Sequence, residues 1–163
     1  MSQSAAAIVR LLSGRIESVV ADISEDDFQK RPAPHLNPPV WLLGHLAVSI
    51  DAVSKFAGEP YHLSEDWHAS FNAQSTPFEN ATPYPSKAEI LSAYKEVLDR
   101  SIGLMDNMTA DELAAAHGVE ALSGSPVKST EDMVTLLLTG HIGWHLGHLE
   151  WAAKLLNAVT TAA

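Results

Sequence analysis

Three histidines near the end of the chain recur at the spacing that puts side chains on one face of a helix. They belong to a run read as Val134, Leu138, His141, His145, His148, Ala152, Leu155 and Val159, with steps of four and three throughout. Such steps mark inward positions of a packed helix, so the three imidazoles are expected to face a core. Each neutral ring carries one donor and one acceptor, and leaving either buried and unpaired costs about 1–3 kcal/mol. A divalent ion takes up acceptor nitrogens and relieves that cost. Neighbours three or four apart can share an ion, so His141 can pair with His145, or His145 with His148. His141 and His148 are two turns apart, about 10 Å along the axis, and do not share one. A further ligand must then come from another element. His45 offers it, on the apolar line Trp41, His45, Val48 and Ala52.

The remaining chemistry is sparse. The chain has no cysteine, which removes disulfides, thiolate metal sites and a cysteine nucleophile. Imidazole and carboxylate are the metal ligands left, and imidazole suits zinc, nickel or iron. Glu65-Asp66-Trp67-His68 holds one Glu-x-x-His, half of the di-iron bundle pattern, which needs it twice. There is no His-Glu-x-x-His, no Gly-x-Ser-x-Gly and no phosphate loop. His35 and His117 fall in polar connectors and are expected to meet solvent. Gly140, Gly143 and Gly147 lie beside the helical histidines, where they allow close approach of another helix or leave room for a substrate.

Composition narrows the partners. The 163 residues carry 20 acidic against 10 basic side chains, a net charge of −10. That surface repels phosphate backbones and anionic lipid, so nucleic acid and membrane are not expected as partners. Met1 to Leu12 has no basic segment followed by an apolar run, and the apolar stretch from Met133 to Val159 is interrupted by histidines, Glu150 and Lys154. Neither a secretory leader nor a membrane span is expected, which points to a cytoplasmic protein.

Helical periodicity supplies the elements that would position the histidines. Helices are expected over about 4–23, 38–57, 86–107 and 130–158, within one domain spanning 1–163. The first carries the stripe Ile8, Leu12, Ile16, Val19 and Ile23. The second opens at Asn37-Pro38-Pro39 and stops at Gly58. Ser86-x-x-Glu89 is a capping box for the third, and Thr109-x-x-Glu112 for a short helix ended by Gly118. No strand pattern competes, so the chain is expected to be all-α, a four-helix bundle. The connector 58–85 is long, and its aromatic residues (Tyr61, Trp67, Phe71, Phe78 and Tyr84) argue for an ordered crossover. A crossover of that length allows the second and third helices to run parallel.

Two segments together resemble a known family. Asn37-Pro38-Pro39-Val40-Trp41-Leu42-Leu43-Gly44-His45-Leu46 is similar to the second-helix motif of the DinB-like (YfiT-like) superfamily, and His141-Ile142-Gly143-Trp144-His145-Leu146-Gly147-His148-Leu149 to its fourth-helix motif. The resemblance implies a four-helix bundle with a long link between helices 2 and 3, commonly a homodimer. It implies a divalent metal on three histidines, which here fall on His45, His141 and His145. His148 stands where the family pattern usually has glutamine, and could back the ligands, touch substrate, carry a proton, or draw the metal toward His145 and His148. Characterised relatives include thiol-dependent S-transferases and isomerases using low-molecular-weight thiols such as mycothiol or bacillithiol, and metal-dependent hydrolases. The expectation is therefore a thiol-transferase type of enzyme acting on a small molecule. A hydrolase, or a non-catalytic metal protein that binds a small ligand under stress, is the alternative.

Overall fold

A computed structural model describes the backbone of residues 3–77 and 84–162 and the side chains as far as Ala158. Phe78 of the connector and the side chain of Val159 lie outside the described residues. The four long helices arise where the periodicity put them. The first, α1, covers Gln3–Ala21, followed by one turn, α2, at Glu25–Phe28 capped by Ser24. In α1 the buried positions are Val9, Ile16, Val19 and Val20, with Ile23 just beyond the helix, while Ile8 is exposed. The stripe thus enters the core at Val9 rather than Ile8.

Pro39–Asp51 forms α3, entered through Pro38 with Pro39 in the first turn. Apart from Ser49 every residue of it is buried, because the helix is apolar on all sides and other elements surround it. Ala52 interrupts it briefly before α4 (Val53–Phe56), and Gly58 ends the segment at φ +71°, a left-handed conformation that glycine adopts without strain. The connector is not bare: it contains a helix, α5, over Glu65–Phe71. Lys87–Asn107 is α6, whose Ser86 hydroxyl accepts from the Glu89 N–H while the Glu89 carboxylate accepts from the Ser86 N–H. The short α7 (Ala110–Ala114) has the same reciprocal cap from Thr109 and Glu112.

The last helix is continuous but not uniform. After a Ser129–Asp132 capping box come α8 (Thr130–Thr135), a π-helical turn (Leu136–His141) and α9 (Ile142–Ala162). A π turn holds one more residue than an α turn, so everything after it is rotated relative to an unbroken helix. The burial pattern records that rotation. Beyond the turn the buried apolar positions are Ile142, Leu146, Leu149, Ala152, Ala153 and Leu156; all but Ala152 lie one residue later than the expected seam, and Leu155 is only half-buried.

Polar contacts fix the helix directions. Lys87 Nζ donates to the carbonyls of Val20 and Ile23, and Lys95 pairs with Glu17, so α6 runs opposite to α1. Leu12 lies against Gly143 and Arg15 pairs with Glu150, so α1 and α9 run the same way. His45 faces His141 and His145 while Leu42 shares a cavity wall with His148, so α3 runs opposite to α9. It follows that α3 and α6 are parallel, and the chain must return the length of the bundle between them. That is what the connector does. Among the described residues the only bridge of β type is the isolated pair Ala116 and Ser129, and no helix is long and apolar enough to cross a membrane.

Candidate metal centre

His45 is held from three sides. Its ring lies parallel to Trp41 one turn earlier, with centroids 4.9 Å apart and an interplanar angle of 2°. Its Nδ1 is 2.8 Å from the carbonyl oxygen of Phe71, which can only accept, so Nδ1 carries the proton and Nε2 keeps a lone pair. Phe71 comes from α5, and it reaches that position because residue 44 is glycine. A Cβ at Gly44 would sit 2.7 Å from Phe71 Cγ and closer still to two other ring carbons. The connector is tied down again where Trp41 Nε1 donates to Ser75 Oγ at 2.9 Å. The aromatic crossover therefore decides which nitrogen of His45 is available.

That nitrogen faces the π turn. The His45 ring is 5.3 Å from His141 and 4.9 Å from His145, edge-on to both, and the Nε2 atoms of His141 and His145 are 3.1 Å apart. One ligand nitrogen from each of the three histidines lies within 4.8 Å of the others. Two nitrogens bound to one ion at about 2.1 Å in a tetrahedral arrangement are about 3.4 Å apart, so the separation of the α9 pair is already close to that of two ligands. The Nδ1 atoms of His141 and His145 are buried with no hydrogen-bond partner among the described residues, and Ser49 Oγ is only a distant neighbour of His45 Nε2, at 3.4 Å.

Burial keeps all three rings neutral. It lowers the pKa of His45 against the opposing hydrogen bond to Phe71, takes His141 down to about 4 with help from His45, and takes His145 down to about 3 with help from His141, His45 and His148. Three neutral imidazoles with converging nitrogens are a donor set that fits a divalent ion. The group His45, His141 and His145 can hold one.

The other histidines are placed differently. His148 is exposed, not inward, because the π turn rotates α9 beyond His141; its ring meets His145 edge-on at 5.5 Å and Trp144 at 5.8 Å. With exposed His35 it lines a cavity of about 270 Å3 that also includes Leu42 and Trp151. His117 meets solvent only in part, less than its polar surroundings suggest. It is half-buried, with Nε2–H donating to the Val127 carbonyl and Nδ1 accepting from the Val119 N–H. A larger cavity of about 500 Å3 is lined by Ser49, Lys55, His117 and Leu137 among others. His68, the histidine of the half di-iron motif, donates from Nε2 to Asp51 at 3.0 Å and is no part of the centre.

Asp51 itself escaped the reading of the sequence. It is 1% exposed, and its carboxylate accepts from the backbone N–H groups of His62 and Leu63 as well as from His68. Its signal was available: an acid closing a helix whose other residues are almost all apolar. It fastens the crossover to α3 from the far side of the centre.

Comparison with known proteins agrees with this architecture. A family profile described as the DinB superfamily matches residues 10–149. The chain belongs to the DinB superfamily. A crystal structure of a conserved protein from Enterococcus faecalis has the same fold, with a TM-score of 0.65 over 96% of each chain at 18% identity. No match was found among curated proteins.

Proposed function

We propose that this DinB-superfamily protein is a divalent-metal-dependent enzyme of the thiol S-transferase or isomerase type, using a low-molecular-weight thiol as cosubstrate. The observation that carries the reading is the convergence of three neutral imidazole nitrogens within 4.8 Å of one another, next to Ser49, which lines a cavity. Three protein ligands leave at least one position on zinc, nickel or iron for a small molecule, the arrangement of catalytic rather than structural sites. A bound divalent ion supplies Lewis acidity, which favours the deprotonated, nucleophilic form of a thiol or of water near pH 7.

The chain's own residues do the rest. The Phe71 carbonyl holds the proton of His45 on Nδ1 and so keeps Nε2 aimed inward. Ser49 Oγ, near that nitrogen, is placed to give a hydrogen bond to a group entering the centre. His148, in edge contact with His145 and exposed in the single chain, is placed to take a proton leaving the nucleophile. A cytoplasmic setting, in which thiols are kept reduced, suits this chemistry. As in the family resemblance, the active form is a homodimer; the exposed pair Trp144 and Trp151 on one face of α9 is the apolar surface such a contact would cover.

The test is turnover by metal-loaded protein on electrophiles with and without a panel of thiols, beside simple esters and amides. Thiol-dependent consumption of the electrophile is expected, with His148→Gln slowing it while metal content stays unchanged. Ester or amide cleavage without thiol would replace the proposal with a hydrolase. Metal-dependent binding without turnover would make the protein a non-catalytic ligand carrier.

A further inference from the structure

The larger cavity has a polarity of its own. At its inner end is Ser49, whose hydroxyl is 3.4 Å from His45 Nε2, and Leu137, one turn before His141. Its walls are apolar, from Phe56, Val119 and Met133, and His117 adds only a ring, since both of its nitrogens are engaged by backbone groups. At the other end, open to solvent, is the exposed Lys55. Acidic side chains outnumber basic ones two to one, yet Lys55 makes no ion pair among the described residues. Its ammonium lies 4.7 Å from the centroid of the Tyr61 ring, and among the described residues no carboxylate lines the cavity. A concave apolar pocket with one charged group at a defined place is the usual form of a small-molecule site.

We propose that this cavity binds a small amphiphilic carboxylate. Its anionic head pairs with Lys55, its apolar body lies against Phe56, Met133 and Leu137, and its far end points past Ser49 toward the histidine centre. One lysine without an arginine fork or a second cation balances a single negative charge, which favours a carboxylate over a phosphate. Ser49 and Lys55 are six residues apart, about 9 Å at the helical rise, so the molecule is about that long. This names the substrate class of the enzyme proposed above and rests on the histidine centre being its reacting end.

The probes are 4-phenylbutyrate, 4-phenylbutanol and 4-phenylbutylamine, titrated calorimetrically into metal-free and metal-loaded protein, with metal content measured on the same samples. The acid should bind about tenfold more tightly than the alcohol or the amine in both forms, as one charge-assisted contact allows. Lys55→Met should erase that preference without changing metal content or melting temperature, and Leu137→Trp should weaken all three probes. Equal binding of acid and alcohol, or no binding of any probe by folded protein, overturns the proposal. So does a preference that appears only with metal and survives Lys55→Met, because the carboxylate would then be bound at the ion. Protein that takes up no metal but keeps the Lys55-dependent preference would instead refute the metal reading and leave the cavity assignment standing.

Discussion

A buried imidazole has one hydrogen to place and one lone pair to fill, and the three rings of the centre solve that problem unequally. His45 gives its hydrogen to Phe71, whereas His141 and His145 leave their Nδ1 atoms without partners among the described residues and turn their Nε2 atoms on each other. A site of this kind is costly when protonated. The folded chain holds His141 near 4 and His145 near 3, against an ordinary value of 6.5 that the unfolded chain approaches. Between those values the unfolded state binds more protons, so the stability these neutral rings contribute is present above pH 6.5 and lost as pH falls through 4 and 3. The melting temperature of metal-free protein should therefore drop steadily as pH is lowered from 7 to 4. Replacing both His141 and His145 by glutamine should flatten that dependence. The three converging residues were legible from spacing and family pattern together. The exposure of His148 was not, since spacing counts residues as though every turn were alike.

At the level of elements, the decisive pieces are the π turn and the crossover. The π turn has no pattern of its own in the sequence. Its hints are Gly140 in mid-helix and Thr139, whose hydroxyl donates to the Thr135 carbonyl at 2.6 Å. The caps of α6 and α7, by contrast, could be read to the residue, because Ser86 and Thr109 each cap through a glutamate three positions on, whereas α3 stops at Asp51, short of the Gly58 expected to end it. The crossover was legible as ordered but not as α5, since a seven-residue helix is too short to show periodicity. Its attachment through Asp51 gives a prediction. Asp51→Ala strips a buried acceptor from His62, Leu63 and His68 together, and should cost about 3 kcal/mol in denaturant unfolding. Limited proteolysis should then cut first between residues 58 and 75. Unchanged stability would mean that the crossover is held elsewhere.

For the whole molecule, parallel α3 and α6 require the long return, and the return carries the Phe71 carbonyl that orients His45. Fold and site are thus coupled through one segment. The outer face of α1 and α9 carries the other consequence. Ile8, Leu11, Trp144 and Trp151 are all exposed, the two tryptophans by 68% and 63%. Sedimentation should give a mass of two chains, and Trp144→Glu with Trp151→Glu should give one; a wild-type monomer would contradict the dimer. The claim on which everything else depends is that His45, His141 and His145 hold one ion. Elemental analysis of protein reconstituted with zinc, nickel or iron and freed of excess measures it directly. One ion per chain is expected in the wild type and in His148→Ala, and near zero in His45→Ala, His141→Ala and His145→Ala, each checked for retained helicity. A folded wild type without stoichiometric metal, or full metal content in any of the three ligand variants, would contradict the account.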